Sequence, residues 1–503
     1  MNCTTRENIC AEIRGALSKG KTVVLVGVPK PSTELSWCAK DLNEIFMGIG
    51  REAQDMHARS KEYEEELDNA RQEPEECMKI DQEEEAIEED EDEDEDEEVM
   101  MYHTKISGAK LAQGAKKSNN ARKFCMTALD IPCAEGSVPS LFKNVAEDCT
   151  PELFRRIRFK DEDKEKLKVA KMEHEKWSTR LKSQSNWKAS IEESIIPMAR
   201  NIDRDDWTDM SGHRDWTIAG SAGVVTYAHS DAHGLGTAVS VPVGRKIWVL
   251  LDVKAVNDGK GEKTPERVLT QMDSHVAFAY IPRKEDQMER MKNRVNEAGY
   301  LVLDKDSMMF MPPGKAHWVL TPQPSIAIGD HYLCFDTMHL TERAIVVNER
   351  SKRAGTNASH DQVARAIIRM AISMAVYKCG KKVLRKPFLS MARMVLHVEL
   401  YTSDFVNKES EEAMGELWNA RLVIQTILDH NNIEASTCAV PEKAHTFRIE
   451  HMKGLQESES GKERRLKLEN WMPIDWKTLE WDDPGLQTVT VPKWLKDKLV
   501  QSW

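Results

Sequence analysis

Two stretches of sequence decide how this chain folds: Trp216-Thr-Ile-Ala-Gly-Ser-Ala-Gly-Val-Val-Thr226-Tyr-Ala-His229-Ser-Asp231-Ala-His-Gly234-Leu-Gly236 and Met311-Pro-Pro-Gly-Lys-Ala-His317-Trp-Val. In both, short runs rich in β-branched and aromatic residues stop at glycine or proline, the pattern of strands closed by tight turns. Working outward, the strand candidates are Trp216–Ile218, Val224–Ala228, Thr237–Pro242, Lys246–Val253, Val276–Ile281, Ser307–Met311, Trp318–Thr321 and Ser325–Phe335. Short strands with Gly, Pro or charged breaks between most of them predict a closed β-barrel or jelly roll.

Helices flank this region. Residues 5–18 read as a short helix, Thr22–Val28 as a buried strand, and about Glu34 to Met47 as a second helix. Two charge-rich helical segments are expected over 150–200. Further on, Val363, Ile367, Met370, Met374 and Tyr377 recur at helical spacing, with Gly380 as a stop. Pro387 opens another helix to about Tyr401, and Ser410–His430 forms a third. Trp471, Trp476, Trp481, Trp494 and Trp503 crowd the last 33 residues, so the tail is expected to press onto a surface with its indoles as apolar anchors. The fold class is therefore α+β. Its expected parts are an N-terminal helix–strand–helix over 1–50 belonging to the barrel module, an acidic and largely disordered insertion over 51–120, a core over 121–345, and a C-terminal helical domain with its Trp-rich tail over 346–503.

At 503 residues and 57.3 kDa the chain is long enough for several domains. Its acidity is local: from Asp81 to Glu98, 15 of 18 residues are Asp or Glu, and removing those charges from the net −13 leaves +2. Such a run cannot bury enough apolar surface to fold, but it can attract basic partners. Direct nucleic-acid binding is not expected. No apolar run approaches the ~18 residues that span a bilayer, and the first residues lack the basic and hydrophobic regions of a secretory signal. Ten cysteines without a C-x-x-C pair argue against a thiolate zinc site or a disulfide framework, and for reduced thiols in nucleus or cytoplasm.

Gly15-Ala-Leu-Ser-Lys-Gly20-Lys21-Thr22 satisfies the phosphate-loop pattern, but a phosphate loop must follow a strand and open a helix. Here a helical segment precedes and a strand follows, so the stretch is read as a polar turn. A different constellation carries chemistry. His229-Ser-Asp231 ends a strand and enters a glycine turn, which lets two side chains point to one edge of a barrel. His213-Arg-Asp215 leads into a strand instead, and His397-Val-Glu399 falls in a helical pattern where i and i+2 face apart. The third ligand is His317, delivered by the Pro-Pro-Gly turn 88 residues on. Two imidazoles and one carboxylate bind a divalent iron on one face and leave the other positions open; Mn²⁺, Zn²⁺ and Ni²⁺ suit the same donors. His233, His331 and His339 are read as packing residues.

The run from Trp216 to Gly234, then Gly244-Arg-Lys246-Ile-Trp248, then the segment from Met309 to Met338 resemble the JmjC domain of fungal proteins, densely over about 216–338. The resemblance implies a double-stranded β-helix using Fe(II) and 2-oxoglutarate, with His229, Asp231 and His317 as metal ligands and catalytic centre. It further implies Lys246 as the cation for the distal carboxylate of 2-oxoglutarate and Thr226 as a hydroxyl partner. Val243 stands where the hydroxylase branch often has a lysine, so the anchor matches the demethylase branch. The implied activity is oxidation of a protein substrate, a histone tail among the candidates, by lysine demethylation or stable hydroxylation. The alternative is an inactive scaffold that binds basic chromatin partners through the acidic run. Homodimerisation through the C-terminal helices is a further expectation.

Overall fold

A computed structural model of the chain describes residues 6–27, 35–46, 51–55, 103–117, 124–132, 138–147, 157–159, 215–253, 295–350, 363–401, 411–438 and 483–501. The strands are β1 (Val23–Val26), β2 (Arg51–Asp55), β3 (His103–Ile106), β4 (Met126–Pro132), β5 (Ile157–Phe159), β6 (Asp215–Gly220), β7 (Val225–His229), β8 (Gly236–Val253), β9 (Val295–Leu303), β10 (Ser307–Met311), β11 (Ala316–Tyr332), β12 (Lys382–Leu384), β13 (Thr488–Thr490) and β14 (Leu499–Gln501). The helices are α1 (Arg6–Leu17), α2 (Ala39–Ile45), α3 (Gly108–Lys117), α4 (Ser140–Val145), α5 (Met338–Arg350), α6 (Val363–Tyr377), α7 (Arg385–Leu396), α8 (Val398–Tyr401) and α9 (Glu411–His430).

The architecture is mixed, helices around one antiparallel sheet in the order β1-β10-β8-β11-β6-β4-β2-β3, with β7 also on β11 and β9 also on β8. Strands expected as pairs are fused: Thr237–Pro242 and Lys246–Val253 are both parts of β8, and Trp318–Thr321 lies with most of Ser325–Phe335 in β11. Strands this long must bend. The β8–β11 register shifts between Leu320 and Ile328, and Gly244 there has φ 75, where a Cβ would strike the Pro324 carbonyl. Before the bend β8 lies beside β10, and after it beside β9; β11 passes from β7 to β6. The two layers share a core, Trp216, Val239, Met309 and Ala327 from one and Trp248, Leu303 and Val319 from the other, which is the layout of a β-sandwich.

Three expectations need correction. Thr22–Val28 is not a buried strand: among the described residues β1 pairs with β10 alone, and Val26 is 82% exposed. The ends of the 51–120 stretch are ordered. β2 pairs with both β3 and β4, and α3 buries Leu111 and Ala112 with Leu42 and Phe46. Backbone pairing with distant strands overrides a local charge pattern; residues 56–102 lie outside the described residues, as do Val276–Ile281 and, apart from β5, the 150–200 segments. Third, the C-terminal tail is held by Val489, Val491 and Leu495, which join the helical core while β13 pairs with β12; Trp494 is 45% exposed. The other four indoles lie outside the described residues.

The helices α5, α6, α7 and α9 pack around that second core. Ion pairs and a hydroxyl contact hold its buried charges: Arg369 Nη2 lies 2.9 Å from Glu416 Oε1, Arg393 Nη2 lies 2.6 Å from Glu342 Oε2, and the Tyr401 hydroxyl donates to Glu342 Oε1 at 2.6 Å. Gly380 ends this run at φ 72, as its placement after α6 predicts. Among the described residues no helix is long and apolar enough to cross a membrane, and the six described cysteines are all free.

Candidate metal centre

His229 is the last residue of β7, and the chain then turns sharply into β8. Left-handed backbone at His233 (φ 53) and Gly234 (φ 72) makes that turn. A Cβ on Gly234 would meet the Thr341 carbonyl, while the Thr341 hydroxyl donates to the Gly234 carbonyl at 2.9 Å. The other ligand turn, Pro312–Lys315, contains Gly314 at φ 70, whose Cβ position is 3.0 Å from Ala344 Cβ. Thr341 and Ala344 are three apart on α5 and therefore share a face, so one helix props both turns. The Tyr332 hydroxyl, donating to the Met311 carbonyl at 2.9 Å, ties the end of β11 to the entry of the second turn.

Strand register does the rest. His317 pairs with His229 across β11 and β7, and their rings stand 4.3 Å apart between centroids. His229 Nε2 is 4.0 Å from Asp231 Oδ1, and one donor atom from each of His229, Asp231 and His317 lies within 4.8 Å of the others. Donors bound at ~2.0–2.2 Å to one ion are at most ~4.4 Å apart, so small side-chain rotations suffice to close on a cation. His317 Nδ1 lies 2.9 Å from the Lys315 carbonyl. A carbonyl only accepts, so Nδ1 carries the proton and Nε2 keeps its lone pair for a metal. Burial raises the pKa of Asp231, but the imidazoles of His317, His331 and His229 and the Thr237 hydroxyl outweigh it and leave the carboxyl below its ordinary range. The donor set thus fits a divalent ion.

Behind the ligands runs a series of inward-facing rows. Cross-strand partners share a face, which puts His229, His317 and Leu250 in the first row and Thr226, Val319 and Trp248 in the next. Thr226 and His229 would face opposite ways on a regular strand, but β7 spends one extra residue between them, three against two on β11, and so both turn inward. Beyond Thr226 come Thr321 and Lys246. Lys246 is 2% exposed, and its Nζ donates to Thr321 Oγ1 at 3.1 Å. Burial lowers its pKa to about 8, and no carboxylate among the described residues counters that shift. A Cβ on Gly220 would lie 3.4 Å from Thr127 Oγ1 and 3.9 Å from Lys246 Nζ; Thr127 Oγ1 and Ser325 Oγ are buried without a hydrogen-bond partner among the described residues.

The rejected motifs fall elsewhere. Gly15–Thr22 joins α1 to β1, in the order that contradicts a phosphate loop. His397 ends α7 with Nε2 3.0 Å from the Cys438 carbonyl, and His213 lies outside the described residues. His339 is buried on α5 and is not in the donor cluster, its pKa held down to about 3 by burial and by Lys386. His331 is different: Thr237 Oγ1 sits 3.2 Å from His331 Nδ1 and hydrogen-bonds Asp231, so this histidine belongs to the site. Sequence reasoning missed Thr127, Thr237, Thr321 and His331. Only His331 and Thr237 carried a legible signal, being polar residues in otherwise apolar strands.

No family model and no curated protein matches the chain. Among solved structures it is similar to a dTDP-4-dehydrorhamnose 3,5-epimerase from Sulfolobus tokodaii, with 18% identity and a TM-score of 0.15 over 24% of this chain. The match spans 51% of that epimerase, about half its length.

Proposed function

We propose that the chain is an Fe(II)- and 2-oxoglutarate-dependent oxygenase of the JmjC type, built on a double-stranded β-helix and acting on a protein substrate. The observation that carries this reading is the ammonium of Lys246, enclosed two rows inward from the proposed metal ligands, donating to Thr321, with the unpartnered Thr127 hydroxyl across the gap at Gly220. A buried cation with no counter-charge among the described residues is costly, and a bound anion would supply that charge beside Gly220, where the nearest side chains are those of Thr127 and Lys246. Span supports the same ligand. From His317 to Thr321 is four residues, about 13 Å at ~3.3 Å per residue, room for a five-carbon diacid with its metal contact at one end and its hydrogen bonds at the other.

When bound, iron and 2-oxoglutarate supply the oxidising chemistry. The chain's own residues hold and shield. His229, Asp231 and His317 would grip one face of the ion, Lys246 and Thr321 would fix the distal carboxylate, with Thr127 completing the cradle and Thr226 lining the path between. Trp248, Val319, Leu301 and Leu250 wall this path with apolar surface and exclude water. The acidic run at 81–98 favours a basic substrate such as a histone tail. An N-methyl target would yield demethylation, and a carbon in the chain or ring would yield a stable alcohol.

The test is succinate release by anaerobically purified protein loaded with Fe(II) and 2-oxoglutarate and then exposed to oxygen, beside His229→Ala and Lys246→Ala. Turnover is expected in the parent alone, with 2-oxoglutarate binding lost in Lys246→Ala. Metal-loaded parent that neither binds 2-oxoglutarate nor releases succinate would overturn the oxygenase and leave a scaffold engaging basic partners. Metal-dependent activity indifferent to Lys246 would point to a cupin-type enzyme without that cosubstrate.

A further inference from the structure

We propose that Thr237 and His331 are positioning residues for the metal centre, forming a directional hydrogen-bond chain that leaves Asp231 one oxygen for the ion. The inference rests on the metal reading of His229, Asp231 and His317. Thr237 on β8 and His331 on β11 are register partners, so their side chains share the interior face. A threonine hydroxyl has one proton, and Thr237 gives it to Asp231 Oδ2. Its oxygen can then only accept from His331 Nδ1, 3.2 Å away, so that ring nitrogen carries a proton. The chain therefore runs from imidazole through hydroxyl to carboxylate. Asp231, Thr237 and His331 are all buried, which strengthens each bond and makes a missing one costly.

The two oxygens of Asp231 are thereby differentiated. Oδ2 is committed to Thr237, and Oδ1 is the one 4.0 Å from His229 Nε2, on the side of the other ligands. A carboxylate restricted to one oxygen suits a transition metal that keeps open positions, and disfavours the bidentate grip typical of calcium. The outer member is held as well: the His331 ring lies 5.7 Å from that of Trp216, and Trp216 occupies the space left by the missing side chain of Gly329. The chain is thus anchored in the sandwich core and ends on a ligand.

Cobalt(II) is the probe, titrated anaerobically into the full chain and followed by calorimetry and by its visible ligand-field spectrum. Loss of an outer-shell partner lowers metal affinity about 10–100-fold, and that loss, with an altered spectrum, is expected for Thr237→Val. Thr237→Ser keeps the hydroxyl and is expected to restore the parent spectrum and affinity. His331→Asn retains an N–H near the Nδ1 position and should stay close to the parent, whereas His331→Phe should shift the spectrum in the direction of Thr237→Val. His331→Phe also serves as an independent reading should Thr237→Val fail to fold. Parent-like affinity and spectrum in either Thr237→Val or His331→Phe would overturn the proposal while leaving the metal site intact. A parent that binds no cobalt would instead remove the metal reading itself, and this inference with it.

Discussion

At the scale of single side chains, Lys246 bears the clearest electrostatic burden. Its ammonium titrates near 8 in the folded chain against 10.5 ordinarily. Below pH 8 both folded and unfolded chains hold the proton, and the fold carries the full penalty, about 3 kcal/mol from a shift of this size. Between about pH 8 and 10.5 the folded chain has released the proton and the unfolded chain has not, so stability rises with pH. Lys246→Met is therefore expected to be more stable than the parent at pH 7, by on the order of 2 kcal/mol after the Thr321 contact is lost, with the advantage shrinking toward pH 10. Urea unfolding at the two pH values measures this. Gly220→Val tests the cradle from the other side: its methyls would fill the space between Thr127 and Lys246. Binding of 2-oxoglutarate should fall at least about tenfold, a loss of ~1.4 kcal/mol, with cobalt affinity unchanged in the same calorimeter.

At the scale of elements, α5 joins the two cores. One part of it props both ligand turns through Thr341 and Ala344, and between these Glu342 is fully buried against Arg393 and Tyr401 of the helical core. Gly234→Ala would strain a φ of 72 and drive a methyl into the Thr341 backbone. It should cost about 1–3 kcal/mol and weaken cobalt binding, which thermal unfolding and titration would report together. Glu342→Ala acts from the opposite side by stranding a buried Arg393, at about 3–5 kcal/mol. If α5 couples the cores, that variant should also lower metal affinity; unfolding loss without any affinity loss would show that the helical core is energetically separate.

At the scale of the whole molecule, the acidity is concentrated in one run of the sequence. The 18 residues Asp81–Glu98 change the net charge from −13 to +2 when removed, and they lie outside the described residues. Their deletion should leave substrate-free succinate release unchanged. Capture of a lysine- and arginine-rich peptide should weaken and lose most of its salt dependence, since long-range attraction between exposed charges is what salt screens. Peptide titrations at two ionic strengths would check both parts. Much of this large-scale plan was legible beforehand because it is local in sequence: the acidic run, the helical period from Val363 to Tyr377, and the glycine and proline punctuation between strands. The ordered ends of the 51–120 stretch were not legible, because β2 is held by pairing with β3 on one side and β4 on the other, and not by its own composition.

The amino-acid sequence alone determined the kinds of groups available and the local turns that present them, since an alternating strand followed by glycine or Pro-Pro-Gly dictates where His229, Asp231 and His317 sit along the chain. Tertiary structure decided which groups meet. The extra residue in β7 turned Thr226 inward, the bend at Gly244 and Ile326 folded one sheet over itself, and Lys246 was buried beside Thr321. Thr127, Thr237 and His331 reached the site only through strand register. The reason is physical: a strand's period of two follows from its own residues, whereas the register between strands far apart in the chain is settled by the packing of the whole sheet.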